Sequence, residues 1–115
     1  MHHMHLMSGE MRQCIEACLE CYRTCRMEAM QHCLVAGGRH LDPEHFRLMT
    51  ACAEICRTSA DFMLIGTKLH TRTCAVCAEI CEACAQSCEQ VGEMEECARV
   101  CRRCAGICRR MAGPS

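Results

Sequence analysis

The chain has 115 residues, 16 of them cysteine, with one Tyr, two Phe and no Trp. That is room for one domain, without an aromatic-anchored core. A formal charge of −1, from 13 basic and 14 acidic residues, leaves no electrostatic footprint for nucleic acid and no basic stripe for a membrane surface. Balanced charge and 50% hydrophobic content also exclude a disordered chain.

Residues 1–9 read as a flexible arm rich in His and Met, or as a cloning remnant. They hold no apolar h-region and no cleavage site, so the expectation is a cytoplasmic protein with reduced thiols. Ser8 stands where an N-cap belongs, and the first helix is predicted over 10–35. Gly37 stops it. Asp42-Pro43-Glu44 is a restart signal, with Pro at the first helical position. The second helix is expected over 43–66, the third over 71–91 and the fourth over 93–111. Short connections within one domain, 10–112, imply an all-α, antiparallel up-down-up-down four-helix bundle. No run of 18 apolar residues offers a membrane span.

The cysteines follow alternating steps of three and four. The first helix carries Cys14, Cys18, Cys21 and Cys25, with Cys33 near its end. The third carries Cys74, Cys77, Cys81, Cys84 and Cys88, and the fourth Cys97, Cys101, Cys104 and Cys108. The second continues the same seam as His45, Met49, Cys52, Cys56, Ser59, Met63 and Gly66. This is the heptad pattern that faces a bundle interior, so the core is expected to be lined with thiols. Antiparallel matching pairs Cys77 with Cys108, Cys81 with Cys104, Cys84 with Cys101 and Cys88 with Cys97. For the second helix it pairs Met63 with Cys81, Ser59 with Cys84 and Cys56 with Cys88, and sets Cys25 beside Cys56. One expected layer is then Cys25/Cys56/Cys88/Cys97, with Glu28 and His32 at the end beyond it.

A buried Cys can serve as a small hydrophobe, but that explains one or two such residues, not a seam without Leu or Ile. Disulfides between neighbouring turns of one helix close very short loops and constrain little. Iron–sulfur clusters favour C-x₂-C-x₂-C runs, which are absent. Cys81-x₂-Cys84-x₁₆-Cys101-x₂-Cys104 does fit a zinc pattern, although heptad spacing alone produces it. Soft thiolate and thioether ligands select Cu(I), and one Cu(I) per ionised thiol leaves the formal charge unchanged. Uncompensated buried charge is costly, which favours that stoichiometry. The expectation is therefore a chain that binds several copper ions as Cu(I) on all sixteen cysteines, with zinc as the alternative. His32, His40 and His45 cluster near Cys33 in the sequence; His32, His45, Met49 and Met94 are candidate entry or end ligands. Met7, Met11, Met63 and Met111 fit either a thioether lid or simple gap filling. There is no βαβ context and no substrate-binding His–Asp arrangement, so no enzyme is expected.

The stretches Cys14-Ile15-Glu16-Ala17-Cys18-Leu19-Glu20-Cys21, Cys52-Ala53-Glu54-Ile55-Cys56, Cys74-Ala75-Val76-Cys77-Ala78-Glu79-Ile80-Cys81-Glu82-Ala83-Cys84 and Cys97-Ala98-Arg99-Val100-Cys101-Arg102-Arg103-Cys104 resemble the cytosolic copper storage proteins. The resemblance covers about residues 11 to 111. It implies a four-helix bundle filled with Cu(I), a homotetramer, and cytosolic copper storage or detoxification. The chain departs from the family pattern at Ser59, Met63 and Gly66, at Glu28 and His32, and at Gln90-Val91-Gly92-Glu93-Met94. Phe46, Phe62 and Leu64 are candidate apolar contacts for a partner subunit.

Overall fold

The computed structural model describes residues 8–113; the expectations for residues 1–7, Met7 among them, lie outside the described residues. Helix α1 (Gly9–Met27) runs without a break through a π-helical turn (Glu28–Cys33) into the short α2 (Leu34–Ala36). A 3-10 turn (Gly38–Leu41) leads to α3 (Pro43–Ile65), then α4 (His70–Val91) and α5 (Glu95–Ala112). The four long helices form a bundle in which α1 packs on α3 and α5, and α4 closes the other side against the same two. The molecule measures 51 × 28 × 18 Å.

Local chemistry sets these boundaries. The Ser8 hydroxyl accepts a hydrogen bond from the Met11 N–H at 3.0 Å, satisfying a donor that α1 leaves unpaired. Gly66 closes α3 in the left-handed region at φ 87°, with its N–H on the Phe62 carbonyl. At the other end of α4, Gly92 and Glu93 both take positive φ, 89° and 58°, so α5 starts only at Glu95.

Two features of the packing differ from the sequence reading. The connection between α3 and α4 is only Gly66–Leu69, and so tight a turn sets the register. Met63 meets Cys74, Cys56 meets Cys77 and Cys81, and Met49 meets Cys84 and Cys88. This lies about two helical turns from the expected pairing of Cys56 with Cys88. On the other side Cys25 meets Cys52 rather than Cys56. Gly66 caps the helix and is no part of the seam. The pairings that do not involve α3 hold: Cys77 lies beside Cys108 and Cys81 beside Cys104.

The second difference is the π-helical turn. A wider turn absorbs one residue beyond α-helical spacing. The buried face therefore continues as Cys25, Ala29 and Cys33, not as Glu28 and His32. Without that extra residue Cys33 would rotate out of the core. Elsewhere the core is thiol and alanine: Ala17, Ala53, Ala60, Ala78, Ala85 and Ala105 are buried between the helices, with Ile15, Val100 and Ile107 as the larger aliphatics.

Candidate metal centre

All sixteen cysteines are free and buried. Apart from Cys33, which lies beyond one end against His40, His45 and Met94, their sulfurs form a column along the bundle axis, with contacting Sγ atoms 3.5 to 3.9 Å apart. A disulfide needs about 2.05 Å. Two sulfurs each about 2.3 Å from one metal ion lie up to about 4.6 Å apart, so the spacing suits ions seated between thiols.

The column divides into groups. Nearest the α3–α4 turn, Cys14, Cys74 and Cys108 converge, with the Met63 thioether 4.0 Å from Cys74. Cys18, Cys77, Cys104 and Cys108 follow, then Cys21, Cys56, Cys81 and Cys104, then Cys21, Cys25, Cys52 and Cys101. Cys21, Cys104 and Cys108 each belong to two groups, which is the arrangement bridging sulfurs require. The expected layer Cys25/Cys56/Cys88/Cys97 does not form, because the register of α3 carries Cys56 away from the other three. Beyond Cys25, the Met49 thioether accepts from Cys84, Cys88 and Cys97 at 3.5, 3.6 and 3.8 Å.

The far end mixes nitrogen and sulfur. Cys33 Sγ lies 3.9 Å from His40 Nδ1, 3.8 Å from His45 Nε2 and 3.9 Å from Met94 Sδ. Outer contacts orient both rings. His45 Nδ1 is 2.8 Å from the Ser87 hydroxyl, and His40 Nε2 faces Glu93 at 3.9 Å. Such partners fix which ring nitrogen is left to a ligand role. His32 stands outside this group, with Nδ1 2.7 Å from Glu28 and its ring 4.8 Å from that of His40. Of the four candidate end residues, the structure brings His45 and Met94 to Cys33 and Met49 to the thiol column, and leaves His32 on the flank. The sequence reading missed Ser87 as the anchor of His45. Its position one residue before Cys88 was the available signal.

The surroundings disfavour charge on Cys101 and Cys33. The Cys101 thiol is raised to about 11, chiefly through the hydrogen bond it shares with Cys21, and burial adds to the effect. Burial also pushes the Cys33 thiol up, helped by the charge of Glu28. Burial holds His45 below the usual imidazole range, so its ring is neutral and able to act as a ligand at neutral pH. The outer surface carries exposed Arg–Glu pairs such as Arg102–Glu89 and Arg109–Glu82. No described helix is long and apolar enough to cross a membrane.

Comparison with known proteins agrees with the chemistry. The family model described as copper storage protein matches residues 7–113. The crystal structure of the Nmul_A1745 protein from Nitrosospira multiformis is similar at 57% identity and a TM-score of 0.88, over 90% of this chain and 94% of that one. The Cu(I)-bound copper storage protein BsCsp3, from Bacillus subtilis, is similar at 34% identity and a TM-score of 0.84, over 91% of this chain and 100% of that one. An uncharacterized cysteine-rich protein of Bacillus subtilis, YhjQ, is 36% identical over 67 residues. That match spans 58% of this chain and 61% of the relative.

Proposed function

The chain belongs to the copper storage protein family, and from that premise we propose that it holds Cu(I) as cargo, many ions per chain, on the thiolates of its own core. The observation that carries this reading is the column with Cys33 beyond its end, sixteen free thiols, all buried. Soft thiolates and thioethers prefer Cu(I), and bridging sulfurs let each thiolate serve more than one ion. All sixteen cysteines are ligands in this reading. Deprotonation accompanies binding, so each incoming ion replaces a thiol proton and the core stays close to neutral.

The Cys33 end is the entry. An ion arriving there meets the imidazoles of His40 and His45 and the Met94 thioether before any group of four thiols. Met49, in contact with three thiols at once, passes it on to Cys84, Cys88 and Cys97. His32 lies next to His40 at the outer edge of that path. The role is non-enzymatic: storage and detoxification of copper in the cytosol, where thiols stay reduced. The bundle acts as a homotetramer, a reading supported by exposed apolar side chains such as Leu64 and Ile65. It has no nucleic-acid or membrane partner, in keeping with its balanced charge.

Metal analysis of protein purified anaerobically from copper-fed cells tests this. The expected result is copper at about one ion per thiolate, with little zinc. Zinc at about four ions or fewer per chain, without copper, would replace the reading with a structural or buffering zinc protein.

A further inference from the structure

Helix α3 faces the sulfur column with Met49, Cys52, Cys56, Ser59 and Met63, all buried. Cys52 and Cys56 enter four-thiol groups. One turn further on, the groups Cys18/Cys77/Cys104/Cys108 and Cys14/Cys74/Cys108 draw on α1, α4 and α5 alone. The α3 residue at that level is Ser59. It stands between Cys56, 3.6 Å from Cys77, and Met63, 4.0 Å from Cys74.

Ser59 is fully buried, and its hydroxyl is the one buried side-chain oxygen or nitrogen among the described residues without a hydrogen-bond partner. It does not turn back on its own helix, as Thr50 does on the carbonyls of Phe46 and Arg47. An orphaned hydroxyl in a core is unfavourable. No sulfur stands in hydrogen-bonding geometry to it in the empty column, and a thiolate, as an anion, is a far stronger acceptor than a thiol.

We propose that Ser59 is a positioning residue of the store, whose hydroxyl donates to the ionised sulfurs of the column once Cu(I) has displaced their protons. Ser59 keeps its own proton and binds no metal. It steadies the thiolates at the level where α3 supplies no sulfur. The empty protein bears the cost of the unpaired hydroxyl, and loading removes it, so the residue favours the filled state. This rests on the Cu(I)-storage reading above.

The two states give opposite signs for one substitution, which separates this role from ordinary packing. In Ser59→Ala, the metal-free protein should melt at or above the wild-type temperature, because an unpaired hydroxyl is gone. Anaerobic competition for Cu(I) with bathocuproine disulfonate should show part of the sites weakened about tenfold. Ser59→Thr, which keeps the hydroxyl, should hold copper as wild type does. Ser59→Cys should bind about one further ion, since the position faces the column. Copper isotherms of Ser59→Ala and wild type that coincide would overturn the proposal. So would a metal-free Ser59→Ala protein that loses stability in step with its copper affinity, or a Ser59→Cys protein with no added capacity. A wild type that binds only a few ions removes the storage reading and the proposal with it, whereas coincident isotherms on a copper-storing wild type remove the proposal alone.

Discussion

The unit of this molecule is a thiol whose neighbours are thiols. An isolated buried cysteine is an inert apolar group. Here Cys21 touches Cys25, Cys52, Cys81 and Cys101 within 3.9 Å, so ionising one sulfur affects several others. Because Cys21 belongs to two four-thiol groups, Cys21→Ser should weaken both. Cys88→Ser removes a thiol outside all of these groups and should cost less. Titration with Cu(I) should show about tenfold lower affinity over more sites for Cys21→Ser than for Cys88→Ser. The same crowding dictates a pH response in the metal-free form. Cys101 is raised from 9.0 to about 11 in the folded state. Its contribution to stability is full below pH 9, where both states are protonated, and is lost as pH rises to about 11. Denaturation of the metal-free protein should therefore become easier between pH 9 and 11. A midpoint that does not move over that range would contradict the shift.

At the scale of elements, the sequence carried the helices and the sulfur faces but not the way they mesh. Steps of three and four placed Cys14 to Cys25, Cys74 to Cys88 and Cys97 to Cys108 on inward faces, because helical period and side-chain direction are local properties. Register is set by connection geometry: a four-residue connection, the length the expected helix bounds already imply and Gly66–Leu69 has, places α3 about two turns from the match that the heptad faces alone suggest. The π-helical turn was hidden, since no residue type marks a wide turn the way Gly or Pro marks a cap. It decides which end ligands meet: it turns Cys33 in toward His40, His45 and Met94 and leaves Glu28 and His32 at the side. Deleting Gln31 should convert the turn to regular α-helix and rotate Cys33 outward. Stopped-flow mixing with Cu(I) should then show uptake slowed about tenfold, with total capacity lower by about one ion. Unchanged uptake would remove the Cys33 end as the entry.

For the molecule as a whole, packing and cargo are coupled. The bundle is filled with thiols and alanines where a stable domain would carry larger aliphatics, so the metal-free core gains little from burial. Ions that bind the folded state alone stabilise it in proportion to their affinity. The thermal midpoint should rise steeply with each Cu(I) added, and calorimetry showing equal midpoints for empty and loaded protein would argue against a store inside the bundle. Sedimentation should give a homotetramer at micromolar concentration, with a monomer counting against that assembly. An anaerobic titration of the reduced protein with Cu(I) against a competing chelator decides whether the thiol column is a high-capacity Cu(I) store. Saturation at about one ion per cysteine, with every thiol then unreactive to a thiol reagent, is the predicted result. Saturation at about four ions or fewer, with most thiols still free, would contradict it.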